Sequence, residues 1–176
     1  MPTDTLRADC TRCAALCCVA LAFDRSALFA YDKAAGEPCR HLRDDGRCTV
    51  HASREEAGFG GCVGYDCLGA GQFVTQIVFG GRSWRDDATL LRPMITAFAI
   101  VRELRGLLAL LSAGRLAAPA GLQRRRTALI EDLSLDETTT MGALMHPSLT
   151  LRMREARGFL ASLRPAARRA PTEALD

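Results

Sequence analysis

Eight cysteines carry most of the reactive chemistry in this 176-residue chain, and four of them, Cys10, Cys13, Cys17 and Cys18, stand in the pattern Cys-x2-Cys-x3-Cys-Cys. The other four, Cys39, Cys48, Cys62 and Cys67, also precede residue 70, and none follows. Thiolates select zinc, iron–sulfur clusters or copper(I). The N-terminal MPTDTLRADC has acidic residues and no apolar run, unlike a secretory signal, so a cytoplasmic chain is expected. In a reducing compartment, cysteines at this density point to metal ligands or redox thiols rather than to a disulfide framework.

The spacing narrows the metal chemistry. A structural zinc site usually joins two short knuckles, and only Cys10–Cys13 makes one here. The run is also not the bacterial ferredoxin run of four cysteines ending in Cys-Pro, and its first spacings reverse the Cys-x3-Cys-x2-Cys of radical enzymes that use S-adenosylmethionine. The adjacent Cys17-Cys18 pair and the glycine-rich wrap around Cys62 and Cys67 (Gly58, Gly60, Gly61, Gly64, Gly69, Gly71) favour an iron–sulfur cluster, of the [4Fe-4S] type, on a subset of the eight cysteines, with a redox or sensing role. The alternative is a structural zinc module with two four-thiolate sites, whose helices bind another protein. All eight cysteines are the candidate metal ligands.

Other chemistry is thinly represented. His41 and His51 lie two and three residues from Cys39 and Cys48 and could ligate or tune them, but eight thiols leave little need for a histidine; His146, before Pro147, reads as a turn residue. Asp44-Asp45 is a turn, Glu55-Glu56 an exposed pair, and Asp66 the only carboxylate beside a cysteine of the wrap. No catalytic residue is assigned. A Cys-x2-Cys can run disulfide exchange, but its usual βαβ setting is missing. No Walker loop, dinucleotide fingerprint or nucleophile elbow is present.

The elements that must position these thiols are mostly helical. Cys13 to Phe23 is free of Gly and Pro and reads as one short helix. On it Cys10, Cys13 and Cys17 share a face, while Cys18 lies about 100° round from Cys17, so the adjacent thiols point towards two metals or two parts of one cluster. Ser26 to Lys33 reads as a turn or short helix, broken by Gly36 and Pro38, and Asp45-Gly46 as a tight turn that brings Cys39 near Cys48. Phe73 to Phe79 has strand-like composition. Asp87 to Ala113 carries Leu90, Met94, Ala97, Val101, Leu104, Leu108 and Leu111 at helical spacing, with Pro93 as a kink or the true start and Gly114 as its cap. A second helix spans about Leu122 to Leu133, after Pro119 and Gly121. Ser134 to Glu137 resembles a capping box for a helix around Asp136 to Met145, and Leu149 to Leu163 is the last helix. Core or partner-helix packing accounts for these apolar stripes, and a solvated face for Arg124, Arg125 and Arg126.

The cluster CTRCAALCC, followed by PCRHLRDDGRCTVH and a later GC, resembles the YkgJ-type, or CxxCxxxCC, family of zinc- or iron-chelating proteins, often described as iron–sulfur cluster proteins. CVALAFDRSALFAYDKAAGEPC through YDCLGAGQ is also similar to the cysteine-rich N-terminal region of some actinobacterial pentapeptide-repeat proteins. The resemblance covers about residues 8 to 75 and extends faintly through FGGRSWRDD. It implies metal ligation by Cys10, Cys13, Cys17, Cys18, Cys39, Cys48 and Cys62. Cys67 departs from the commoner pattern, in which an aromatic-Pro segment follows the last cysteine. His51 stands where the family usually has Tyr, and the pentapeptide repeats are absent. The lysine N-methylase activity described for larger relatives is not carried over.

The charge balance fits this division. Residues 1–72 carry eight Lys/Arg against ten Asp/Glu, and the rest fifteen against ten. That Arg-rich surplus reads as base composition rather than phosphate recognition, so nucleic acid is not an expected partner. Met94 to Leu111 is interrupted by Arg102, Glu103 and Arg105 and is not expected to span a membrane. The expected fold is mainly α: an irregular, cysteine-rich metal-binding module at 1–72, a small helical bundle at 73–165 onto which it packs, and a disordered tail at 166–176.

Overall fold

A computed structural model describes residues 6–113 and 120–163. Gly114, Pro119 and the tail lie outside the described residues. The fold is mainly helical, as expected. Seven helices run in order: α1 (Leu16–Ala20), α2 (Gly60–Gly64), α3 (Ala70–Phe73), α4 (Leu91–Ser112), α5 (Ala120–Leu133), α6 (Met141–Met145) and α7 (Pro147–Ser162).

Helix α4 is the axis, against which α1, α3, α5, α6 and α7 all pack. Its expected stripe is buried at Met94, Ala97, Val101, Leu104, Leu108 and Leu111, with Phe98 and Leu107 added. Each large side chain so buried contributes about 1.5–3 kcal/mol relative to exposure. Leu16 and Val19 of α1 enter the same core as Leu129 and Leu133 of α5 and Leu149, Met153, Ala156 and Phe159 of α7. Asp87 caps the preceding turn by accepting from the Thr89 N–H, and the helix begins at Leu91, so Pro93 sits in its first turn and breaks nothing. Thr140 caps α6, and the His146 ring accepts from the Ser148 N–H at the start of α7, in keeping with its reading as a turn residue.

Three local expectations are corrected, and one is narrowed. The helix at Cys13–Phe23 is confined to Leu16–Ala20, because Ala15 takes a left-handed conformation (φ 56°) that no continuous helix contains. Of the turn or short helix expected at Ser26 to Lys33 the structure has the turn, pinned by antiparallel bridges Phe23–Lys33 and Ser26–Phe29. Phe73 to Phe79 is helical: α3 runs into a π turn at Val74–Val78. Strand alternation would bury Phe73, Thr75, Ile77 and Phe79, whereas the buried set is Val74, Thr75 and Phe79. Ser134 does not open a capping box; its hydroxyl donates back to the Ile130 carbonyl at 2.7 Å.

Residues 72 and 73 both fall inside the α3–π segment, and buried residues from either side share one core. Among the described residues, no helix is long and apolar enough to cross a membrane.

Candidate metal centre

The first cysteine loop is held from below by one helical face. Gln72 accepts from the Asp9 N–H (3.0 Å) and donates to the Arg7 carbonyl (2.7 Å), and Gln76 donates to the Arg12 carbonyl (2.8 Å). The Thr75 hydroxyl accepts from the Ala14 N–H at 3.0 Å and donates to the Gly71 carbonyl, and the Trp84 indole N–H donates to the Ala14 carbonyl at 2.7 Å. The π turn brings these side chains to the cysteine loop together, a local irregularity common at functional sites.

The eight thiols, none in a disulfide, fall into two sets of four. Cys10, Cys13, Cys17 and Cys67 line one crevice with Asp9, Gly71, Gln72 and Phe98. Cys13, Cys17 and Cys67 pack against the core, while Cys10 is exposed at the mouth. Gly71 is obligatory there, since a methyl group in its place would collide with Cys13 Sγ. The Leu16 N–H points at Cys13 Sγ at 3.5 Å, a contact made possible by the turn at Ala15.

Cys18, Cys39, Cys48 and Cys62 form the second set. The Cys39 N–H donates to the Cys18 carbonyl (2.9 Å), and the expected turn, with Gly46 at φ +83°, pairs Leu42 with Cys48. Arg54 ties in Cys62 by donating to its carbonyl at 3.1 Å. The sets meet at Cys17 and Cys18, whose sulfurs are in contact at 3.9 Å on one short helix rather than pointing apart as their 100° separation suggested. The expected sharing of a helical face by Cys10, Cys13 and Cys17 is not observed; the three converge through a 3-10 turn at Cys10–Arg12 and the left-handed Ala15.

Burial raises most of these thiols. It lifts Cys13 to about 11, opposed by the Leu16 amide and reinforced by Cys67. Burial likewise raises Cys10, Cys48 and Cys62, and neighbouring thiolates add to it: Cys67 and Cys18 for Cys10, and Cys18 and Cys39 for the other two. Cys18 goes the other way. The Cys17 thiol donates to it, and Lys33 and Arg54 supply positive charge, so Cys18 is lowered and Cys17 raised.

Each set has a tyrosine and a buried cation beside it, and the sequence reading identified none of these four. At the second set the Tyr31 hydroxyl lies 3.0 Å from Cys39 Sγ and accepts from the Arg40 N–H (3.1 Å). Lys33, the only lysine among 23 basic residues, is 5% exposed and donates to the carbonyls of Val19, Leu21 and Ala34. At the first set Arg105, 7% exposed, donates to the Leu68 carbonyl at 2.8 Å and carries its charge near Cys67. Tyr65 stands near Cys17 and Cys67, its hydroxyl raised by burial first. That oxygen is buried, with the Arg102 guanidinium lying over the ring at 6.0 Å and offsetting part of the shift, and its O–H finds no acceptor among the described residues. The one signal for these residues in the sequence was rarity: two tyrosines and one lysine, all close to cysteines.

The remaining candidates stand apart from the thiols. His41 packs edge-on against Phe59 (5.0 Å) and contacts Thr49, and His51 is exposed in a 3-10 turn. The Asp66 carboxylate accepts from the Leu68 N–H, shaping the turn after Cys67. Arg125 pairs with Glu155 at 3.4 Å, and Arg126 donates to the Leu111 carbonyl.

The donor set fits a thiophilic metal group: four thiols per set, an amide aimed at sulfur, and a buried phenol O–H without an acceptor next to Cys17 and Cys67. Among the described residues no three His, Cys, Asp or Glu side chains are drawn into a ready-made single-ion shell.

No protein-family model matches the chain, and no solved structure matches it. Among curated proteins it is similar to one of Bacillus subtilis (strain 168) described as "Uncharacterized protein YybG", with 45% identity over 103 residues, which are 58% of this chain and 37% of that protein. The chain therefore spans little more than a third of that relative's length.

Proposed function

We propose that this chain is a metal-binding protein that carries an iron–sulfur cluster, of the [4Fe-4S] type, on its N-terminal cysteines, with a redox or sensing role. The observation that carries the metal reading is the gathering of eight unpaired thiols into two sets of four, each with a buried cation beside it. Four thiolates around one centre leave excess negative charge, and Arg105 and Lys33 lie where they offset it.

Cluster rather than single-ion chemistry is supported by the adjacent Cys17-Cys18 pair and by the donors placed at sulfur. A tetrahedral zinc shell at a Zn–S distance of about 2.3 Å holds its sulfurs about 3.8 Å apart. Cys17 and Cys18 meet that spacing across the two sets, whereas neither set forms a single-ion shell. Hydrogen bonds to sulfur from Leu16 and Tyr31 are of the kind that tune cluster potentials. A second reading, two structural zinc sites with the helices serving a protein partner, is supported by the enclosed room in the first crevice. It measures about 20 Å³, enough for about one water-sized sphere.

Metal and acid-labile sulfide analysis on protein prepared without oxygen decides between them. Iron with matching sulfide and absorption bleached by dithionite is the expected result. Zinc without sulfide overturns the cluster in favour of the structural module, and neither metal overturns both.

A further inference from the structure

The two tyrosines of this chain divide between the two thiol sets, and they stand there in different states. Tyr31 is already engaged. Its oxygen accepts from the Arg40 N–H and shares a hydrogen bond with Cys39 Sγ, in which the phenol is the donor once Cys39 is a thiolate, and its ring is wedged edge-on against Phe23 (5.4 Å) and Phe59 (5.5 Å) beneath the Arg40 guanidinium. As a donor, Tyr65 is not engaged. Its hydroxyl is buried beside Cys17 and Cys67 with the Arg102 guanidinium, which can only donate, towards its oxygen, so the O–H itself has no acceptor among the described residues. A buried O–H left without an acceptor is costly, and such a group in a native fold calls for an occupant that accepts from it.

We propose that Tyr65 is a positioning residue for the first thiol set: its O–H donates to a sulfur of the metal group held by Cys10, Cys13, Cys17 and Cys67, as the Tyr31 O–H donates to Cys39 in the second. This rests on the metal reading above. Sulfur that is thiolate or sulfide accepts and cannot donate, so the phenol is the donor in both places. Donors of this kind orient ligands and draw charge from a metal's shell, and Arg105 on the Cys67 side acts in the same sense.

The test is Tyr65→Phe, because the two states of the protein answer with opposite signs. In the metal-free chain the substitution removes an unsatisfied O–H, so melting temperature stays level or rises. In the metal-loaded chain it removes a donor to a charged acceptor, so chelator-driven metal release from the first set speeds up about tenfold. Alkylation of Cys10, Cys13, Cys17 and Cys67, followed by mass spectrometry, identifies that phase. Tyr31→Phe is the control: it discards hydrogen bonds already present and lowers stability in both states. A second readout is fluorine NMR of protein labelled with 3-fluorotyrosine, which gives two resonances. Metal loading moves the Tyr65 signal most.

Tyr65→Phe with unchanged release and an unmoved fluorine signal overturns the inference while leaving the metal reading intact. Equal destabilisation of both states overturns it too, since the hydroxyl is then purely structural. A wild-type chain that holds no metal overturns the reading on which the inference rests, a result distinguishable from the others at the first measurement.

Discussion

Cys17 and Cys18 are adjacent in sequence and separate in allegiance, one lining the crevice with Cys67 and the other facing Cys39, Cys48 and Cys62. Serine at either position should therefore cost different metal. Cys17→Ser is expected to empty the first set and Cys18→Ser the second, with alkylation mapping showing which cysteines become reactive; identical patterns for the two variants would contradict the division. Gly71→Ala puts a methyl group against Cys13 Sγ, and overpacking of that kind costs about 1–3 kcal/mol. The expected outcome is a lower melting temperature and loss of metal from the first set only. The raised Cys13 thiol also fixes a pH dependence. Folding holds its proton up to about 11 against an ordinary value of 9.0, so the folded chain binds more protons than the unfolded one in between. Stability of the metal-free protein therefore falls as pH rises from 9 towards 11, which melting curves across that window check. On the proposed metal reading, binding is expected to run the other way, weakening as pH falls, because each ligating thiol must lose its proton.

The α3–π segment is the element on which the first cysteine loop rests. Gln72, Thr75 and Gln76 reach backbone groups of residues 7–14, and Trp84 closes the far side at the Ala14 carbonyl. Such a clamp holds a loop of poor intrinsic order in one shape. Trp84→Phe keeps most of the packing and removes one hydrogen bond, so a loss of about 1 kcal/mol is expected, together with faster metal release from the first set than from the second. Equal release from both sets would mean that Trp84 supports the fold without supporting the loop. The alternation FVTQIVF is equally compatible with a strand and with a helix, and short apolar runs do not separate the two. What decided it was the demand that Val74 and Phe79 turn to the core while Gln72, Thr75 and Gln76 face the loop.

At the scale of the molecule, the thiol-bearing part and the helices differ in what holds them. Residues 22–58 contribute no residue to the central core; they are held by scattered bridges and an aromatic cluster around Phe23, Phe29 and Phe59. Helices α4 to α7 bury a continuous apolar interior. Removing metal with a chelator is expected to raise amide exchange across residues 8–67 while α4 and α7 stay protected and most of the helical circular dichroism remains. Cooperative loss of both would show instead that the metal holds the whole core together. Composition and spacing alone determined that the reactive thiols are confined to the first part of the chain and that α4 buries most of its stripe, because these follow from residue type and from the 3.6-residue period of a helix. By contrast, α7 buries Phe159 where the period pointed to Leu160 and Leu163, and the Cys17 and Cys18 sulfurs meet at 3.9 Å instead of pointing apart. Other features came only with tertiary structure: the division of the cysteines into two sets, the burial of Lys33 and Arg105, and the stranded hydroxyl of Tyr65. The reason is physical: Cys39, Cys48, Cys62 and Cys67 are joined by irregular loops whose closure obeys no local period, and a buried charge or phenol is recognised only by the neighbours that surround it.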